Sequence, residues 1–199
     1  MALEAGASYF GVICITGTRR EASDAEAREV VSAAAGRPVF GVFGPGEVSK
    51  SILRRRDVTG IRGAQLHGLP SAELAERLRS EGMLVWRVAR PADLKAAKGV
   101  ADEAGRTDAV LVEPFVDGAL GGTGQVLATD LAQAARAALI GKRMVLAGGL
   151  RPDTVAAAIA LVRPDLVDVS SGVERSPGVK DAALLKAFLE AVVGDHPSP

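Results

Sequence analysis

The chain reads as an α/β protein built on a parallel sheet. Two observations carry that reading. Short apolar runs rich in β-branched residues alternate with longer, Ala-rich charged segments at helical spacing. Apolar residues make up 48% of the 199 residues but aromatic ones only 4%, so the core volume comes from Ala, Val, Leu and Ile, as in buried strands covered by Ala-rich helices. The strand-like runs are Phe10 to Ile15, Val39 to Phe43, Gly63 to Leu66, Met83 to Val88, Ala109 to Val112, Met144 to Ala147 and Leu166 to Val169. The helical segments are Asp24 to Ala35, Glu47 to Arg56, Ser71 to Ser80, Ala92 to Ala104, Ala128 to Ile140, Asp153 to Val162 and Ala182 to Val193. Strands that alternate with helices in this way are joined by right-handed crossovers. Spacing alone leaves a closed barrel and an open doubly wound sheet as equal alternatives.

Local signals punctuate the elements. Ser23, Ser71 and Thr129 stand where a side-chain oxygen would accept from the free amides of a helix start, and Gly36 and Gly82 stand where helices should stop. Met1 to Gly6 reads as the last turns of a helix that Gly6 ends. Residues 1–199 are expected to form one domain, with a frayed tail from Gly194 to Pro199.

Composition narrows the function classes. The formal net charge is zero, from 24 basic and 24 acidic side chains, so no general field draws the chain to nucleic acid or an anionic membrane. A single cysteine rules out an intrachain disulfide and a cysteine-rich metal site. No apolar run has the length of a membrane span and no signal-peptide pattern opens the chain, so a cytoplasmic location is expected.

The chemistry concentrates late in the chain. Gly148 and Gly149 come directly after an apolar strand and just before a helix opened by Pro152 and Asp153. Ser170, Ser171 and Gly172 follow the next strand. Glycine lets backbone amides approach a ligand closely, and two such loops after successive strands make an anion site from main-chain donors. As an alternative, both pairs are plain turn residues.

The same segments carry a family likeness. GAQLHG at Gly63 to Gly68, GGTG at Gly121 to Gly124, LAGGL at Leu146 to Leu150, VDVSSGVE at Val167 to Glu174 and PGVKD at Pro177 to Asp181 resemble, in order and spacing, the signature segments of phosphoribosylanthranilate isomerases. The resemblance runs from about Ala2 to about Val193. It implies a (β/α)8 TIM-type barrel, of which about seven strands are visible here, with its site at the strands' C-terminal ends. It also implies an Amadori rearrangement in tryptophan biosynthesis: an acid opens the furanose, and a base removes the C2 proton, with no cofactor or metal. The phosphate loops then match Gly148, Gly149, Ser170, Ser171 and Gly172. Arg20, with Arg19 a close second in the Thr-Arg-Arg run, matches the arginine that faces the anthranilate carboxylate, a task suited to a planar guanidinium. His67 matches the histidine of QLHG beside the sugar, or serves as a structural histidine. Asp168 matches an acidic position in the family's VDVSSG, where the resemblance implies either binding of a substrate hydroxyl or pinning of the phosphate loop.

Two positions depart from the family. Its base is a cysteine on a first strand that this chain lacks. Cys14 does not fall in that register, because ALEAGASYFG matches the family's first helix and second-strand entry. Cys14 therefore reads as a small core residue, with a substitute base as the lesser reading. On one expectation the coding start lies upstream of Met1. The family's acid, an aspartate, becomes Glu113, with Asp117 as a more distant fallback. The extra methylene misplaces a proton donor by about an ångström and costs about 100-fold. The expected partners are a phosphorylated small-molecule substrate and at most a second copy of the chain, as a monomer or homodimer. The competing reading is a catalytically impaired or repurposed phosphosugar-binding barrel. Two strand edges would remain open in a seven-stranded barrel, to be covered by the N-terminal segment, a partner chain or local distortion.

Overall fold

Helical crossovers between buried strands give the sheet its parallel order. In the computed structural model, which describes residues 2–116 and 124–194, the elements run β1 (Phe10–Ile13), α1 (Asp24–Ala33), β2 (Val39–Phe43), α2 (Ser49–Thr59), β3 (Gly63–Leu66), α3 (Ala72–Ser80), β4 (Leu84–Ala89), α4 (Leu94–Ala104) and β5 (Ala109–Val112). They continue with α5 (Thr129–Ala138), β6 (Arg143–Leu146), α6 (Val155–Val162), β7 (Leu166–Val167), a short 3-10 turn (Ser171–Val173), β8 (Glu174–Ser176), β9 (Val179–Lys180) and α7 (Ala182–Val193). The hydrogen-bonded order of the sheet is the sequence order, β1 to β7, and β8 and β9 form a separate antiparallel pair. The seven sheet strands are the seven read from the sequence. Asp117 and the Gly121–Thr123 part of GGTG lie outside the described residues.

Contacts sort the chain into two units, one of Ser8–Val88 with Ala104–Val110, the other of Met1–Ala7, Ala89–Glu103 and Leu111–Pro199. In the first, β1, β2, β3 and β4 pair in parallel, with Phe10 opposite Val39, Val42 opposite Gln65, and Gln65 opposite Trp86. β2 and β3 are buried along their whole length, whereas β1 exposes Gly11. Val12, Phe43, Ile52, Ile61, Leu78 and Val85 fill the core on one face. Tyr9, Phe40 and Trp86 pack as a trio of rings, with the Phe40 and Trp86 centroids 4.2 Å apart. Burial of such rings and aliphatic chains stabilises by about 1.5–3 kcal/mol each, the main term holding the unit together. Ser23 caps α1 reciprocally: its hydroxyl accepts the Glu26 amide and the Glu26 carboxylate accepts the Ser23 amide at 2.8 Å.

The second unit carries the later strands. The Glu113 amide donates to the Ala89 carbonyl at 3.1 Å, Ala147 to Val112 at 2.9 Å and Asp168 to Leu146 at 2.9 Å. These bonds place residues 113, 147 and 168 at one level, just past the ends of their strands. Val155 and Phe188 anchor α6 and α7 in the core. Leu166 and Val167 stay half-buried, so β7 is the more open edge of its pair with β6.

Local departures from the sequence reading have local causes. The sequence predicts helix over Met1 to Gly6, whereas residues 2–6 form only a turn, closed by Gly6 donating to Leu3 and Ala7 to Ala2. So few residues cannot repay helix nucleation. α5 starts at Thr129 with Ala128 as its uncapped N-cap, so Thr129 lies one residue inside its expected place. α6 starts at Val155 instead of Asp153, because Arg151 to Thr154 close a turn in which the Thr154 hydroxyl accepts the Arg151 amide. Among the described residues no helix is long and apolar enough to cross a membrane.

Candidate active site

The late strands end in loops that turn back over a common pocket. It is lined by Glu113, Gly124, Ala147 to Leu150 and Asp168 to Gly172, among others. Gly148 and Gly149 both have positive φ, at 88° and 64°. A Cβ on Gly148 would lie 2.1 Å from the Pro114 ring, and one on Gly149 2.6 Å from the Gln125 carbonyl oxygen. Only glycine meets both demands. Gly172 is held more tightly still: a Cβ there would sit 1.8 Å from the Leu150 carbonyl oxygen. Main chain therefore packs on main chain, and Gly148, Gly149, Ser170, Ser171 and Gly172 line the pocket.

Two residues to which the sequence assigned no role hold this floor in place. Lys180, on β9, donates to the Ser170 carbonyl at 2.8 Å and pairs with Glu174 at 3.2 Å. Asp181 then caps α7, accepting from the Ala183 and Leu184 amides at 2.9 and 3.0 Å. The closing VKD segment is thus the clamp on the Ser170 turn, and its two charges next to a helix start were the signal that could have revealed it.

Two carboxyls share the pocket. Glu113 is buried, with 8% of its surface exposed. Burial raises its pKa, and the charge and hydrogen bond of Arg90 oppose the rise. Arg90 reaches it at 2.6 Å. Asp168 is half-buried, and its pKa is pushed up to about 6, first by burial and then by the charge of Glu113, with Lys180 opposing. The structure so brings together Glu113, Asp168, Gly148, Gly149, Ser170, Ser171 and Gly172. Arg90 was absent from the sequence reading, because an ion pair across 23 residues has no local signature.

The other candidates belong to the first unit. Arg20 is half-buried on the loop after β1, which is pinned by the Glu21 carboxylate accepting the Gly17 amide at 2.8 Å and by Ala22 donating to Ile13 at 2.9 Å. His67 is buried just past β3; its amide donates to Phe43 and its ring lies 3.4 Å from the Gln65 amide nitrogen. Cys14 sits in the core with its Sγ 3.6 Å from the Val12 carbonyl, and burial pushes its thiol up to about 11. A thiol so placed holds its proton at neutral pH, which fits the core reading of Cys14 and opposes its reading as a base. Among the described residues no His, Cys, Asp and Glu cluster could hold a metal ion.

Comparison with known proteins meets this geometry. Residues 1–191 match the family model of N-(5'phosphoribosyl)anthranilate (PRA) isomerase. The chain belongs to this family. A PRA isomerase from Haloferax volcanii is 38% identical over 96% of the chain and 89% of its own length. The structure of monomers generated from the dimeric isomerase of Thermotoga maritima superimposes with a TM-score of 0.82 at 30% identity, over 97% of this chain and 91% of that one. A further PRA isomerase, solved with reduced 1-(o-carboxyphenylamino)-1-deoxyribulose 5-phosphate, gives a TM-score of 0.81 at 28% identity, over 97% and 91%. PRA isomerases are thus the chain's relatives in sequence and in backbone alike, and its fold is the α/β barrel type of that family.

Proposed function

We propose that this chain catalyses the reaction of its family, the Amadori rearrangement of N-(5'-phosphoribosyl)anthranilate to the 1-deoxyribulose 5-phosphate aminoketone in tryptophan biosynthesis. One observation carries the reading. The amide-rich Gly148–Gly149 and Ser170–Gly172 loops line the same pocket as a buried carboxyl, Glu113. The first feature suits a phosphate and the second suits a proton donor.

In this reading the loop amides and the Ser170 and Ser171 hydroxyls hold the phosphate. Glu113 protonates the furanose ring oxygen, and its burial favours the protonated form that such a role needs. The C1–O bond then breaks with its electrons on oxygen, and the anthranilate nitrogen forms the Schiff base. The C2 proton passes to solvent water, giving the enolamine, which takes a proton at C1 and loses one from the C2 hydroxyl to become the aminoketone. Asp168 accepts from a sugar hydroxyl, Arg20 faces the anthranilate carboxylate, and His67 stands beside the sugar. The buried thiol of Cys14 takes no part as base.

That last point favours a second reading, a barrel of the same family that binds the phosphosugar without turning it over. Purified chain incubated with N-(5'-phosphoribosyl)anthranilate, with product followed by chromatography, separates the two. Rescue of a tryptophan auxotroph lacking this isomerase is the matching test in cells. Turnover and rescue support the first reading. Tight binding of the reduced product with neither turnover nor rescue supports the second.

A further inference from the structure

A glutamate reaches one methylene further than an aspartate and has one more rotatable bond. A carboxyl at position 113 therefore needs an anchor if it is to meet a substrate atom with the accuracy that proton transfer demands. The neighbouring strand end supplies one. Ala89, the last residue of β4, accepts the Glu113 amide at 3.1 Å, so Arg90 and Glu113 leave adjacent strand ends side by side. The Arg90 Nε lies 2.6 Å from Glu113 Oε1, and its Nη2 lies 2.5 Å from the same oxygen. Both of these contacts fall on Oε1. The side chains are 17% and 10% exposed, which limits screening of the pair by water and salt.

We propose that Arg90 is the positioning residue for Glu113, anchoring its carboxyl through Oε1 so that the group is presented to a ligand seated on the Gly148–Gly149 and Ser170–Gly172 loops. The proposal deepens the isomerase reading and rests on it for the identity of the ligand. When Glu113 passes its proton to the ring oxygen, the C1–O electron pair stays on that oxygen and the nitrogen lone pair makes the C=N bond. Glu113 is left ionised, and the charge of Arg90 stabilises it at that moment. Charged groups at this corner include Arg90 after β4, Asp168 after β7 and, acting on Asp168, Lys180 on β9.

The test compares the full chain with Arg90→Gln, Arg90→Lys, Glu113→Gln and the Arg90→Gln/Glu113→Gln double variant. Arg90→Gln should lower kcat by about 30-fold with KM changed by no more than about three-fold, and Arg90→Lys should recover part of the loss. Removing the guanidinium leaves burial unopposed, so the alkaline limb of the pH–rate profile should move to higher pH. In the Glu113→Gln background the Arg90→Gln change should cost nothing more. An additive loss, or an unmoved alkaline limb, overturns the proposal. Carboxyl-carbon NMR of Glu113 gives a reading that needs no turnover: its midpoint should rise in Arg90→Gln, and an unmoved midpoint also overturns the proposal. If the parent chain fails to turn over N-(5'-phosphoribosyl)anthranilate, the isomerase reading fails and the NMR midpoint still decides the role of Arg90. If Arg90→Gln does not fold, Arg90→Lys carries both measurements, with a smaller shift in the same direction.

Discussion

Gly172 has no room for a side chain. Gly172→Ala should cost about 2–4 kcal/mol or force the Ser170 turn away from Leu150, because the new Cβ would meet the Leu150 carbonyl oxygen at 1.8 Å. Denaturant unfolding, together with the affinity for inorganic phosphate, checks it. Asp168 makes a prediction with a sign. Its folded pKa of about 6 lies above the ordinary value of 3.8, so the folded state holds the proton more firmly and stability falls as pH rises from about 4 to about 6. Asp168→Asn should therefore stabilise the chain by about 1–2 kcal/mol above pH 6, less than the full shift would give because water still reaches the residue, and by almost nothing below pH 4. Unfolding midpoints across that range measure it. At this scale the sequence spoke unevenly. Glu113 and Asp168 could be found because each matches an acidic position in the family's signature segments near the end of a strand. Arg90 could not, since nothing near it in the chain announces a partner on the next strand.

Elements were more legible than their ends. β2, β3 and β5 have the bounds their apolar runs suggest, and so does α7. The runs at Phe10 and Leu166 overstate their strands by two residues each, because the apolar pattern continues into Cys14, Ile15 and Val169 after the ladder has stopped. The β8–β9 ribbon left no such pattern: Glu174 to Ser176 is too short and too polar to read as a strand. The role of the ribbon shows at Asp181, the next residue along the chain. The Asp181 amide donates to Val173 at 2.8 Å while its carboxylate caps α7, so one residue ties the ribbon, the Ser170 turn and the helix together. Asp181→Ala should cost about 1 kcal/mol by thermal unfolding, a typical loss for an N-cap. It should also weaken phosphate affinity, which a surface-only role for the helix start would leave unmoved.

For the whole molecule, the alternation of strand and helix periods makes the α/β class visible in the sequence itself, and the family likeness supplies the barrel type. What stayed hidden is the grouping of the chain into two units, in which residues 89–103 and 111–194 share one set of contacts and residues 8–88 another. Contacts between segments so far apart in sequence leave no mark on composition. A ligand that binds only the folded chain raises its stability by mass action, about 2.7 kcal/mol at a hundred times Kd. Inorganic phosphate should therefore raise the melting temperature in a saturable way, and Gly172→Ala should abolish the rise. A rise that persists in Gly172→Ala would place the anion elsewhere.

The pocket floor has one more consequence. No lysine or arginine is among the described residues that line it, and its tightest contacts are between stretches of main chain. Alanine scanning, which finds binding sites by deleting side-chain atoms, has little to delete at Gly148, Gly149 and Gly172. At these three positions every substitution adds atoms, so a survey built on removal would pass over the proposed phosphate loops, and a library of small additions would test them.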